Sequence, residues 1–108
     1  MIDFNKLEKV TVKNFHGGLG NVVISKYSDE LNQILRGTLA PGASVGMHKH
    51  ETSSETIFIV AGKAKFIIDG REETLFAGQC HYCKKGQSHT LINSGCVDLV
   101  FHAVISEQ

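Results

Sequence analysis

Short β-prone runs, each closed by a glycine or a turn pair, leave this chain few ways to fold. Val10 to Lys13 and Val22 to Tyr27 are dense in β-branched residues, and Gln33 to Ala40 stops at Pro41-Gly42. Val45 to His50 opens into the polar stretch Glu51 to Ser54, which reads as a loop. Thr56 to Ala61, Lys63 to Asp69 and Glu72 to Phe76 follow, the last two joined across Asp69-Gly70, a pair that suits a two-residue hairpin turn. Gln79 to Cys83, Ser88 to Ile92 and Val97 to Ile105 complete the series. Eight or more strands at such spacing predict an all-β sandwich or closed barrel, with one helical turn near Ser28 to Gln33 capped by Ser28. At 108 residues there is room for one core, so residues 1–108 are expected to form one domain.

The composition removes several partners. Eleven basic residues balance eleven acidic ones, without a dense Lys/Arg cluster, so no nucleic-acid or anionic-membrane partner is expected. The longest apolar runs, Ile57 to Gly62 and Leu99 to Ile105, are too short to span a bilayer. The start of the chain lacks the pattern of a secretory signal. Three cysteines, Cys80, Cys83 and Cys96, fit a reducing cytoplasm better than a disulfide framework.

The chemistry concentrates in six histidines, and two spacings organise four polar side chains. The first is Gly42-x5-His48-x-His50-x4-Glu55-x6-Gly62 and the second Gly78-x7-Gly86-x2-His89-x3-Asn93. Residues two apart on a strand share a face, so His48 and His50 can aim both rings at one point. Glu55 reaches the same point from the start of the next strand, provided the strand of His89 folds back beside them.

These spacings resemble the two signature motifs of the cupin superfamily over Gly42 to Asn93, about half the chain, with nine fixed positions matched. The second motif departs at Lys84, where the family usually has proline, and at Gln79, where an acidic residue is common. The resemblance implies a double-stranded β-helix, or jelly-roll, barrel. It implies metal ligands at His48, His50, Glu55 and His89, holding one divalent transition metal: manganese, iron, nickel, cobalt, copper or zinc. Three imidazoles and a carboxylate suit several first-row ions and do not select among them. The resemblance further implies a homodimer, with residues 1–27 as N-terminal strands and a possible exchanged arm.

The other candidates carry less. The glycines at positions 42, 62, 78 and 86 are expected at turns of positive φ, and Gly17-Gly18-Leu19-Gly20 is read as a flexible turn. Cys80 and Cys83, three apart on a strand, should face opposite ways, one of them buried. Alternation puts His81 and Cys83 on one face, and if that face points inward Cys83 lines the pocket. His16, His81 and His102 are otherwise read as packed or solvated. With Glu55 inward, Ile57 and Ile59 follow, and with His89 inward, Leu91 and Asn93 follow. On the last strand either Leu99, Phe101 and Ala103 or Val100, His102 and Val104 face in, and the pattern does not choose. Arg36 is the candidate partner of an acidic substrate, and His102 the candidate general base should it face inward.

Three functions fit, with the metal-dependent enzyme ranked ahead of the other two. The first is an enzyme acting on a small carboxylate- or sugar-like metabolite through isomerase, lyase, decarboxylase or dioxygenase chemistry. The second is a binding or sensing module for a small molecule, and the third a barrel whose metal only braces the fold. An open coordination position beside a cavity separates the third from the others.

Overall fold

Apolar residues alternating with polar ones along each run can bury one face only, and two sheets laid face to face satisfy all of them at once. The computed structural model, which describes residues 1–108, has ten strands. These are β1 (Val10–Lys13), β2 (Asn21–Ser28), β3 (Asn32–Leu39), β4 (Ser44–Lys49), β5 (Ser53–Ala61), β6 (Lys63–Ile68), β7 (Arg71–Phe76), β8 (Cys80–Cys83), β9 (Ser88–Asn93) and β10 (Leu99–Glu107). One sheet runs β1-β2-β3-β10-β5-β8 and the other β4-β9-β6-β7, every neighbouring pair antiparallel. This is the expected all-β jelly roll, built as two sheets rather than as one hydrogen-bonded closed barrel.

Between the sheets lies one cluster of 14 buried apolar residues, with Leu39, Ala64, Phe66, Leu99 and Ala103 wholly out of solvent. The last strand sits between β3 and β5, and its parity is settled: Leu99, Phe101 and Ala103 face the core. Ile57, Ile59 and Leu91 are buried as expected. Asn93 is buried too, but it serves the fold, its amide donating to the carbonyls of Leu39 (2.8 Å) and Val97 (2.9 Å).

Two local expectations are corrected. The stretch Ser28 to Gln33 is a tight β2–β3 connection, not a helical turn, because the Asp29 carboxylate accepts from the backbone N–H of Leu31 (3.0 Å) and Asn32 (2.8 Å). The only helical turn is a 3-10 turn at Phe15–Gly17. The Glu51 to Ser54 loop is shorter than expected, since Ser53 and Ser54 already pair with Glu107 and Ser106 of β10. The hairpin at Asp69-Gly70 forms as read, both residues at positive φ (50° and 73°).

The glycine-rich stretch after Asn14 is packed, not flexible. A Cβ on Gly18 would lie 2.1 Å from the Ser44 carbonyl oxygen, so only a glycine lets the turn's backbone lie against β4. Leu19 and Ser44 tie the contact further, through Ser44 N–H to the Leu19 carbonyl (2.8 Å) and Leu19 N–H to Ser44 Oγ (2.9 Å). The turn is thereby fixed over one end of the space between the sheets.

Candidate metal and ligand site

Both sheets contribute to one cluster. His48 on β4 lies directly opposite His89 on β9, after a register shift between Val45 and His48. His50 follows the end of β4, where its N–H donates to the Gln87 carbonyl (3.0 Å) and its own carbonyl accepts from Gly86 N–H (2.6 Å). Glu55, on β5 of the facing sheet, completes the group. His89 Nε2 is 3.0 Å from His50 Nε2, 3.2 Å from His48 Nε2 and 3.1 Å from Glu55 Oε1. His50 Nε2 also lies 3.1 Å from Glu55 Oε1. The four candidate ligand atoms all fall within 4.8 Å of one another, a grouping that could hold a metal ion.

The second nitrogen of each ring explains the convergence. His48 Nδ1 donates to the Gly46 carbonyl at 2.8 Å, which leaves a lone pair on Nε2 facing the cluster. His50 Nδ1 meets Ser53 Oγ at 3.2 Å, and His89 Nδ1 meets His81 Nε2 at 3.0 Å. Such outer partners, a backbone carbonyl above all, orient imidazoles toward a metal. Lone pairs brought this close repel unless positive charge sits between them, so the donor set fits a divalent cation.

Electrostatics agree. Burial pushes His48 down to about 4, so its ring is neutral near pH 7 and free to act as a donor. Burial alone would raise the Glu55 carboxyl, but hydrogen bonds and charge from His50 and His89 outweigh it and hold the group at about 2. The cluster therefore presents a carboxylate and a neutral imidazole at ordinary pH.

A cavity of about 110 Å³ opens beside the cluster, and His48, His50, Glu55 and His89 all line it. Ile57, Leu91 and Phe101 give it apolar walls, Phe15 and His16 cover one side, and Lys26 and Gln33 supply further polar groups. Pockets enclosing drug-sized ligands run to roughly 300–1,000 Å³, so this one suits a ligand of few heavy atoms.

Arg36 and His102 do not reach this cavity. Their parity on β3 and β10 places them on the outer face of the six-stranded sheet, where Arg36 Nε donates to His102 Nε2 at 3.2 Å. Arg36 Nη1 also donates to Asn5 Oδ1 (3.1 Å), and Phe4 stacks on His102 at 4.8 Å. Neither side chain can meet a substrate held in the cavity; together they anchor the N-terminal segment.

Two histidines read as packed or solvated also touch the cluster, His81 being packed as read. His16 stacks on His48, ring centroids 4.0 Å apart, from a residue at φ 53° inside the 3-10 turn. Burial lowers its pKa, with the nearby His50 adding to the effect. No periodicity marks a turn residue, so nothing in the sequence pointed to it. His81 had a signal: the strand alternation that put it on the same face as Cys83, beside the turn leading to His89. That face does point inward, both side chains being buried, while Cys80 is exposed. Cys83 stands opposite Glu55 in the β5–β8 ladder yet does not line the cavity; its Sγ contacts the Gln87 carbonyl at 3.6 Å.

The departure at Lys84 has a physical account. The Lys84 N–H, which proline would lack, donates to Gln87 Oε1 at 2.8 Å, and Gln87 N–H returns a bond to the Lys84 carbonyl at 3.0 Å. A side-chain bond thus holds the turn that a pyrrolidine ring would otherwise stiffen.

Known proteins resemble this chain in sequence and fold. The family model for the cupin domain matches residues 35–105. An oxalate-binding protein of Thermotoga maritima is 36% identical over 100 residues, 87% of this chain and 83% of that protein. A crystal structure from the same organism, described as a predicted oxalate decarboxylase, superposes with a TM-score of 0.94 at 30% identity, covering 100% of this chain and 99% of the other. A cupin domain of Schizosaccharomyces pombe, 8% identical, superposes with a TM-score of 0.83 over 100% of this chain and 74% of its own, a likeness of fold alone.

Proposed function

This chain belongs to the cupin family, and we propose that it binds a small carboxylate of about the size of oxalate at a divalent metal held by His48, His50, Glu55 and His89. The observation that carries the reading is that all four candidate ligands line a small cavity with apolar walls. A metal that only braced the fold would be closed off on every side. The likeness to an oxalate-binding protein supports the choice of ligand class. When bound, the ion supplies positive charge that attracts a carboxylate oxygen. Ile57, Leu91 and Phe101 exclude water around such a ligand, and the positive charge of Lys26, a residue that also lines the cavity, attracts an anion toward it.

Turnover of the bound acid is the second reading, ranked first on sequence alone. It is favoured by His16, a titratable side chain that lines the cavity and is not one of the four proposed ligands. Binding is carried further than turnover because Glu55 is the only carboxylate in the lining. We infer, too, that the protein works in the cytoplasm as a homodimer. All three cysteines are free thiols, which fits a reducing compartment.

The test is elemental analysis of untagged protein, then calorimetry with oxalate on loaded and metal-stripped samples. About one equivalent of a first-row ion per chain is expected, with oxalate binding lost on stripping and weaker for longer diacids. Oxalate binding that survives stripping would overturn the metal-dependent reading. Release of formate and carbon dioxide from oxalate, absent from a His16→Ala variant, would establish turnover.

A further inference from the structure

One line of hydrogen bonds runs from the protein's edge into the cluster. Glu73 lies on β7, at the edge of the four-stranded sheet, with its side chain 40% exposed. Its Oε1 is 2.7 Å from Nδ1 of His81, which lies on β8 at the edge of the other sheet and is wholly buried. His81 Nε2 is in turn 3.0 Å from His89 Nδ1. The His81 ring is held flat, Phe66 stacking on it at 3.8 Å and 11°, and lies nearly parallel to the His89 ring at 15°.

The proton positions along this line follow from its outer end. A carboxylate only accepts, so His81 Nδ1 carries the proton shared with Glu73. A neutral His81 then has only a lone pair at Nε2, and the 3.0 Å bond requires the proton on His89 Nδ1. Neutral His89 is left with its lone pair on Nε2, the atom directed at His48, His50 and Glu55. The reverse order would set a lone pair of His81 against the Glu73 carboxylate at 2.7 Å, which is repulsive.

We propose that Glu73 and His81 are positioning residues which hold His89 in the Nδ1-protonated tautomer and so keep its Nε2 lone pair directed at the cluster. The consequence for metal affinity rests on the ligand assignment proposed above; the tautomer itself does not.

The two are separated by measuring ring nitrogen shifts on metal-free, 15N-labelled protein at alkaline pH, where the tautomer of the uncharged ring is read, and titrating cobalt(II) in parallel. Wild-type protein is expected to show His89 protonated on Nδ1 alone. In Glu73→Ala the His89 signals should become those of mixed tautomers, with cobalt(II) affinity falling about 10- to 100-fold. Glu73→Gln keeps an oxygen acceptor at the same place and should restore both readouts. His81→Phe keeps the aromatic stack and loses the acceptor, so it should behave like Glu73→Ala. A clasp that merely joined the sheet edges would lower the melting temperature of Glu73→Ala and leave the His89 tautomer alone. A single Nδ1-protonated His89 in Glu73→Ala, or an Nε2-protonated His89 in wild type, overturns the proposal. Wild-type protein that takes up no cobalt(II) overturns the ligand assignment instead, while the shifts of the metal-free protein still decide this one.

Discussion

The His48 ring sits between a backbone carbonyl that takes its Nδ1 proton and a cluster that needs its other nitrogen bare, and burial enforces that state. In the fold it resists protonation down to about pH 4, whereas in the unfolded chain it protonates near 6.5. The unfolded chain therefore takes up a proton the fold refuses, so this contribution to stability is whole above pH 6.5 and shrinks as pH falls toward 4. His16, His81 and His102 are lowered in the same direction, chiefly by burial, and share the effect. Glu55 adds a separate loss at lower pH, its contribution present above about 4.5 and fading toward 2. Denaturation midpoints of metal-free protein, followed from neutral to acid pH, should fall in both windows. The neutral variant His48→Gln should show a shallower fall in the first; an unchanged slope would mean that His48 does not carry its share. His48→Ala and His89→Ala should each lose most of their bound metal by elemental analysis, because each removes a proposed donor. The residues of this cluster were legible because their spacing matches a family pattern. Glu73 was not: an acidic residue on a β-prone run looks like any solvated glutamate until the facing sheet edge is in place.

Among the elements, the 3-10 turn at Phe15–Gly17 has a role out of proportion to its length. It carries His16 onto His48 and closes one side of the cavity, and its backbone is seated on β4 through Gly18. In Gly18→Ala the new methyl would stand 2.1 Å from the Ser44 carbonyl oxygen, a backbone atom that cannot swing aside. The turn must lift, at a cost of about 1–3 kcal/mol typical of forced overpacking. The four proposed ligands lie outside this contact, so metal content should hold while oxalate affinity drops, as read by calorimetry beside a denaturant melt. Loss of metal as well would show that the turn and the cluster are one unit. The strands were legible from their alternation and punctuation to within three residues at each end, since a half-buried strand writes its period into the sequence. The turn was not, because three residues make no period. Nor did the pattern choose the face of β10, where Val100 and Val104 are as apolar as the core-facing Leu99, Phe101 and Ala103; that choice depends on which neighbours the strand acquires.

At the scale of the whole molecule, the outer face of the six-stranded sheet is finished on one side and bare on the other. Over β3 and β10 it is covered by the N-terminal segment, Phe4 stacking on His102 and Asn5 bonded to Arg36. Over β5 and β8 it presents Phe58, Val60 and Tyr82, exposed to 47%, 44% and 48%, and β8 ends the sheet with an unpaired edge. An apolar face beside an open edge marks a contact surface. Within one chain β1 pairs with β2, so the N-terminal strands are already engaged, and the proposed homodimer is better served by the β5–β8 face than by an exchanged arm. Phe58 and Tyr82 point away from the cavity, so a charge placed on them tests association without touching the site. Wild-type protein should sediment as a dimer at micromolar concentration. Phe58→Lys should sediment as a monomer with its metal content unchanged, because a buried lysine without a partner would cost more than the contact returns. A monomeric wild type would remove the dimer altogether. A dimeric Phe58→Lys would move the contact to another face, with β1 and the N-terminal segment the next place to look.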